Sequence, residues 1–186
     1  LQNTYNWKEH LSEKEKEEAE RAAQETQISM FGRQRTPFRF NWSSPILLSP
    51  HNPSIIYFGG NHLFKSIDRG DHWRIISPDL TTNDPEKYSL PTGGITLDQT
   101  GAETHCTITS ISESPIIPGL IWVGTDDGLV QLTRDDGRTW MNVRNNIPDV
   151  PEGIWVSRVE ASRFKEGTCY VTFDGHRSDI FKPYVL

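Results

Sequence analysis

Four acids fall near the ends of strand-like segments, where side chains could converge on a ligand: Asp126, Asp127, Glu160 and Asp174. A glycosidase needs two carboxyl groups facing each other across a sugar, one to protonate the leaving oxygen and one to attack or to activate water. No feature of the sequence selects such a pair among the four. Asp126-Asp127-Gly128 could also offer two carboxylates to Ca²⁺, yet a hairpin turn accounts for the same residues. Asp174-Gly175-His176-Arg177 places a general-base type beside a cation, and a solvated hairpin turn explains that composition too. Neither His105 nor His176 has the spacing to another His, Cys or Asp that zinc would require. Ser112, Ser157 and Ser178 lack a nucleophile-elbow context, and glycine-rich phosphate loops are absent. The two cysteines, Cys106 and Cys169, lie in strand-like context and read as buried free thiols, although an oxidising compartment would permit a bridge. The residues therefore predict no catalytic set, no metal and no cofactor.

Composition bounds the elements that must carry these side chains. The chain has 186 residues, 34% of them hydrophobic, and a formal net charge of −6. That suits one domain or two small ones, and it gives no field to attract nucleic acid or an anionic membrane surface. Fourteen Gly, twelve Pro and six Trp argue for a chain that turns often around large aromatic anchors. No apolar run approaches the length of a membrane span, so no membrane insertion is expected. Leu1 is no initiator and no charged-then-apolar leader follows it, so the chain is expected to begin after processing or inside a longer protein.

Residues 1–37 read as a charged helix and linker. The helix is expected over 8–27, with Ser12 and Glu15 as a capping box and a thin apolar stripe that favours a solvated surface helix over a partner-binding arm. Residues 29–39 read as a loop, and from Phe40 onward the pattern changes to short segments rich in Val, Ile, Tyr, Trp and Thr, broken by turn residues. Strands are expected at 45–49, 55–59, 62–67, 72–77, 107–113, 120–124, 128–133, 139–143, 154–161, 168–173 and 179–184. The polar stretch 81–104 reads as a long loop. The fold class is all-β with an added N-terminal helix.

The segment from Ser49, SPHNPSIIYFGGNHLFKSIDRGDHWRIIS, overlays the segment from Ser112, SESPIIPGLIWVGTDDGLVQLTRDDGRTWMNV. A third, shorter copy begins at Val156. Units fall near 40–80, 107–150 and 153–186, and a multi-strand repeat of this size signals propeller blades. The sharpest element is SIDRGDHW, repeated as TRDDGRTW, both fitting Ser/Thr-x-Asp-x-Gly-x-x-Trp. Ser66, Asp68, Gly70 and Trp73, like Thr133, Asp135, Gly137 and Trp140, have a turn role: a carboxylate accepting turn N–H groups, a glycine at positive φ, and an indole anchor.

These motifs resemble the Asp-box (BNR) repeat, and the chain is similar over residues 38–185 to bacterial β-propellers with sortilin-like repeats. The resemblance implies antiparallel blades, about three here with the ring incomplete, in a secreted or periplasmic protein. It implies a non-enzymatic structural or binding module that presents loops, among them Asp126, Asp127, Asp174, His176 and Arg177, to a protein or a glycan. Partners would be the remainder of a longer propeller chain or another polypeptide completing the ring. The alternative is part of a propeller-fold glycoside hydrolase of sialidase or glucanase type, for which Arg158, Arg163 and Arg177 are present but unpatterned. A photosystem-assembly-like folding factor shares the repeat.

Overall fold

The computed structural model describes residues 38–88 and 104–186. The expected charged helix over 8–27 and most of the 81–104 loop lie outside the described residues. The described chain is all-β, arranged as three antiparallel sheets whose neighbouring strands are consecutive in sequence. Strands β1 (Ile46–Leu48), β2 (Ile56–Gly59), β3 (Leu63–Ser66) and β4 (Arg74–Ile75) form sheet 1. A single helical turn, α1 (Pro85–Tyr88), falls within the expected loop. Sheet 2 comprises β5 (Ile108–Glu113), β6 (Ile121–Thr125), β7 (Val130–Thr133) and β8 (Met141–Asn142), and sheet 3 comprises β9 (Trp155–Ala161), β10 (Cys169–Asp174) and β11 (Tyr184–Val185). No helix among the described residues is long and apolar enough to cross a membrane.

The last strand differs from its expected 179–184. Residues His176–Ser178 form a 3₁₀ turn, Asp179 takes a left-handed φ of 56°, and pairing with β10 resumes only at Tyr184. Pro183 has no N–H to give a ladder, so the strand is confined to its final residues.

Register shows that the repeat is physical. Tyr57 lies opposite Leu47, Trp122 opposite Ser112 and Tyr170 opposite Glu160, so the three aromatics occupy one position in three sheets. A one-residue irregularity recurs at Thr109 in β5 and at Ser157 in β9. The first hairpin of each sheet is closed alike: Ser49, Ser114 and Ser162 donate their N–H to the carbonyls of Ile55, Leu120 and Thr168. Their hydroxyls accept N–H groups from the turn that follows, such as His51, Ile117 and Lys165.

Side chains alternate across a strand, and this alternation builds two cores. Tyr57, Leu63, Ile108, Ile111, Ile121 and Val123 fill the space between sheets 1 and 2. Trp122, Val130, Leu132, Val156, Val159 and Val171 fill that between sheets 2 and 3. Sheet 2 is therefore covered on both faces, and every residue of β6 and β7 is buried. Each fully buried Val, Ile or Leu contributes roughly 1.5–3 kcal/mol of transfer free energy.

Close approach of successive sheets rests on two glycines in equivalent register. A Cβ on Gly59 would stand 2.9 Å from Ile108 Cγ2, and one on Gly124 would stand 2.3 Å from Val156 Cγ1. Hydroxyls of β5 then meet the unpaired edge of β9. Ser110 and Ser112 accept the Val159 and Ala161 N–H groups at 3.0 and 2.9 Å, and Thr109 donates to the Val156 carbonyl at 2.6 Å. These bonds satisfy buried backbone groups that no strand reaches.

The two repeated turns are built bond for bond alike. Ser66 Oγ donates to Asp68 Oδ1 (2.8 Å) and accepts Gly70 N–H (2.8 Å), while Asp68 Oδ1 accepts His72 N–H (3.0 Å). Thr133 Oγ1 donates to Asp135 Oδ1 (2.8 Å) and accepts Gly137 N–H (2.9 Å), while Asp135 Oδ1 accepts Thr139 N–H (2.8 Å). Gly70 and Gly137 sit at φ of 100° and 89°, where a Cβ would be strained. The tryptophans part company: Trp73 Nε1 donates within its own turn to Gly70 O, whereas Trp140 Nε1 crosses to Ile76 O of the sheet 1 chain, each at 3.0 Å.

Candidate functional site

The candidate loop residues gather at one end of the sheets, where the second strand of each turns outward. Asn61, Asp126 and Asp174 follow or close β2, β6 and β10 at equivalent positions. Asn61 Oδ1 accepts Arg39 N–H at 3.0 Å, and Asp126 Oδ1 accepts Thr107 N–H at 2.9 Å, so both tie the hairpin to the chain that leads into their sheet. Asp126 Oδ2 also accepts the Thr107 hydroxyl at 2.7 Å, and its carboxylate is fully buried. Burial raises the Asp126 pKa above the ordinary carboxylate range, against the pull of His105 (Nδ1 at 3.7 Å) and the Thr107 bonds.

Asp127 performs a different task. Its Oδ1 accepts the Thr125 hydroxyl, and its Oδ2 accepts both the N–H and the hydroxyl of Thr82 at 2.7 Å. It clamps the segment leaving sheet 1 onto the β6–β7 turn. The two adjacent carboxylates are thus occupied by N–H and O–H donors from separate segments. Among the described residues no group of three or more His, Cys, Asp or Glu could hold a metal ion.

Asp174 is left out of this scheme. Instead of binding the chain ahead of β9, its Oδ1 accepts the His176 N–H at 3.1 Å and contacts His176 Nδ1 at 2.5 Å. These bonds, from the His176 ring first and its N–H second, hold the carboxyl below the usual carboxylate range. The Arg177 guanidinium stacks over the Trp155 ring, 4.6 Å from its centroid. Asp174, His176 and Arg177 therefore form one exposed cluster on sheet 3, beside a cation–indole pair. Glu160 lies elsewhere, on the strand face beside Arg158, with Arg158 Nη2 at 2.8 Å.

Other candidates are absorbed by structure. Ser112 binds the β9 backbone, Ser157 Oγ lies 2.8 Å from Thr172 Oγ1, and Ser178 ends a 3₁₀ turn. Cys106 and Cys169 are free thiols; burial raises both, Cys169 to about 12, so neither is a ready nucleophile. Cys106 is buried at a positive φ of 61°, with its Sγ 3.8 Å from His105 Nδ1.

The polar groups between sheets 1 and 2 were not legible as a group. Lys65 Nζ reaches both carboxylate oxygens of Asp136 at 2.7 and 2.6 Å, and Tyr57 donates to Glu113 Oε1 at 3.2 Å. Glu113 Oε1 also accepts Gly119 N–H at 2.9 Å, leaving a buried Oε2 without a partner. The partners lie 56 and 71 residues apart in the chain, so no local pattern of the sequence links them.

An all-β protein of three sequential antiparallel sheets, with an exposed Asp–His–Arg loop cluster, is what fold and site together define. No protein-family model matches the chain, and no curated protein matches it in sequence.

Proposed function

We propose that the three sheets are successive blades of a β-propeller, and that the chain is a non-enzymatic structural or binding module presenting its loops to a protein or glycan. One observation carries this reading. Faces in equivalent register are buried only where another sheet follows or precedes: Trp122 is 8% exposed but Tyr170 53%, and Ile111 is 8% exposed but Ile46 69%. Both ends of the arc thus offer the kind of surface that its interior joins bury, which suits completion of a ring by further blades, in the same chain or another polypeptide. An extracytoplasmic setting is proposed from the Asp-box resemblance alone.

The non-enzymatic choice draws support from the acids. Asp126 and Asp127 are taken up by Thr107, Thr125 and Thr82, and Glu160 by Arg158, which leaves a glycosidase without an evident pair. The loop at Asp174–Arg177 has the composition of a recognition surface, with an arginine on an indole and a polar His–Asp pair. Light scattering tests the arc: open faces of this size should drive self-association, and a stable monomer at tens of micromolar would refute it. A glycan and protein binding screen with Arg177→Ala as comparison tests the loop; binding that ignores this substitution would move the site elsewhere.

A further inference from the structure

Tyr57 and Lys65 are cross-strand partners on the face of sheet 1 that packs on sheet 2, with Lys65 Nζ 5.5 Å from the centre of the Tyr57 ring. Both are buried. Sheet 2 meets them with two carboxylates. Glu113 accepts the Tyr57 hydroxyl, and Asp136 takes the Lys65 ammonium on both oxygens, with Arg74 Nη2 of sheet 1 at 3.9 Å. Asp136 N–H donates to Gly119 O at 3.0 Å, and Gly119 N–H donates to Glu113 Oε1 at 2.9 Å, so one stretch of backbone holds both acids.

Adhesion between sheets does not require this network. Where sheets 2 and 3 meet, Trp122 stands at the Tyr57 position, Leu132 at the Lys65 position and Ala161 at the Glu113 position, all in one apolar core. Exchanging a buried ion pair for apolar side chains is often neutral or stabilising. What the polar network adds is discrimination, and the repeat itself supplies the wrong choices. The three sheets share strand register and hairpin closure, so each offers a face of similar shape. At the Glu113 position sheet 1 has Leu48 and sheet 3 has Ala161, and neither side chain can accept the Tyr57 hydroxyl. At the Asp136 position the first acidic turn has Arg69, in the same left-handed conformation (φ of 64° against 58°). Sheet 1 offered to the sheet 1 of a second copy would therefore bring a guanidinium toward Lys65. Each buried polar group left unpaired disfavours a pairing by about ten- to hundredfold, and like charges add to that.

We infer that Tyr57 and Lys65, read by Glu113 and Asp136, form a pairing code that admits sheet 2, and neither sheet 3 nor the sheet 1 of a second copy, as the neighbour of sheet 1. The hydroxyl selects the strand that carries a carboxylate at position 113. The ammonium selects the turn that carries an acid, where the first turn carries arginine. The code joins sheets already in contact, so it holds whether or not they belong to a larger ring.

Tyr57→Trp, Lys65→Leu and Glu113→Ala, made together, give the join of sheets 1 and 2 the side chains found between sheets 2 and 3. Spin labels at the exposed turn positions, Asp71→Cys and Arg138→Cys in a Cys169→Ser chain, report the separation of sheets 1 and 2. Each labelled chain is diluted with its unlabelled counterpart, so that only distances within one molecule are read. Refolded from urea, the chain with its native code should give a single distance. The triple variant should keep its urea midpoint and yet give a second population of distances, because sheet 1 now accepts other faces. A single distance from a folded triple variant overturns the proposal. Charge exchange decides the matter where the triple variant loses its midpoint or does not fold. Asp136→Lys alone should give mixed distances, and Lys65→Glu combined with Asp136→Lys should return the chain to one. Mixed distances from the exchanged pair, or a single distance from Asp136→Lys, overturn the code.

Discussion

Gly124→Ala places a methyl group where the backbone of sheet 2 meets β9. The added Cβ would stand 2.3 Å from Val156 Cγ1, 2.9 Å from Val156 Cβ and 3.3 Å from Val159 Cγ1. Carbon atoms at optimal separation are about 3.5–4.0 Å apart, so the sheets must part by more than an ångström at a join filled at crystal-like density. Overpacking of this kind costs about 1–3 kcal/mol. The gain from replacing a strand glycine by alanine offsets roughly 0.5–1 kcal/mol of it, leaving a net loss of about 1–2 kcal/mol. Val156→Ala alone opens a void in the same core and costs about 2 kcal/mol. Made together, each change relieves the other, because the new methyl enters the space the valine leaves. The double-mutant cycle from urea unfolding should therefore show a favourable coupling of about 1–2 kcal/mol. Gly59→Ala supplies the control: it meets Ile108 and Pro45 instead, and should add to Val156→Ala without coupling. Additivity of Gly124→Ala and Val156→Ala within about 0.5 kcal/mol would refute the account of how sheets 2 and 3 join.

Asp126→Asn should be tolerated within about 1 kcal/mol, since Asn61 does the same work in sheet 1, whereas Asp126→Ala leaves the Thr107 N–H and hydroxyl unpaired and should cost about 3 kcal/mol in denaturant unfolding. Asp68→Ala should lower stability by about 1–2 kcal/mol through lost turn hydrogen bonds, read by the same assay, with no change in any binding by the Asp174–Arg177 loop. Asp135 is held at about 2 by the Thr139 hydroxyl and N–H. Its contribution is complete above the unfolded value near ~4 and is lost as pH falls toward the folded value. Thr139→Ala should narrow that acid loss in pH-dependent thermal melts, and an unchanged profile would contradict the assigned bond. Asp126 has the opposite sign: its raised pKa makes its charge costly above the ordinary carboxylate range, so acidification relieves it and Asp126→Asn removes that relief.

Much of the local structure was legible because its causes lie within a few residues. The Ser/Thr, Asp and Gly of the two turns are bonded within their own eight-residue motifs, so turn chemistry alone foretold their placement, whereas the Trp140 indole bonds outside its motif, to Ile76. Strand positions followed from alternation and from the punctuation between strands, save for β11, where Asp179 and Pro183 interrupt what composition alone reads as continuous. Asp126 and Asp127 were visible as a turn and as a possible ligand pair. Sequence could not separate these readings, because their hydrogen-bond donors, Thr107 and Thr82, are 19 and 45 residues away.

Which face of each sheet is buried, and against what, was decided only in three dimensions. Tyr57, Trp122 and Tyr170 share a register position, yet the first two are buried and the third is half exposed, because burial depends on the sheet that packs next and not on the residue. The role of Gly124 is set by Val156, and the hydroxyls of β5 are set by the open edge of β9. Hydrophobic periodicity specifies that a face will be covered, since apolar area must leave water. It is the long-range packing of sheet on sheet that chooses the cover.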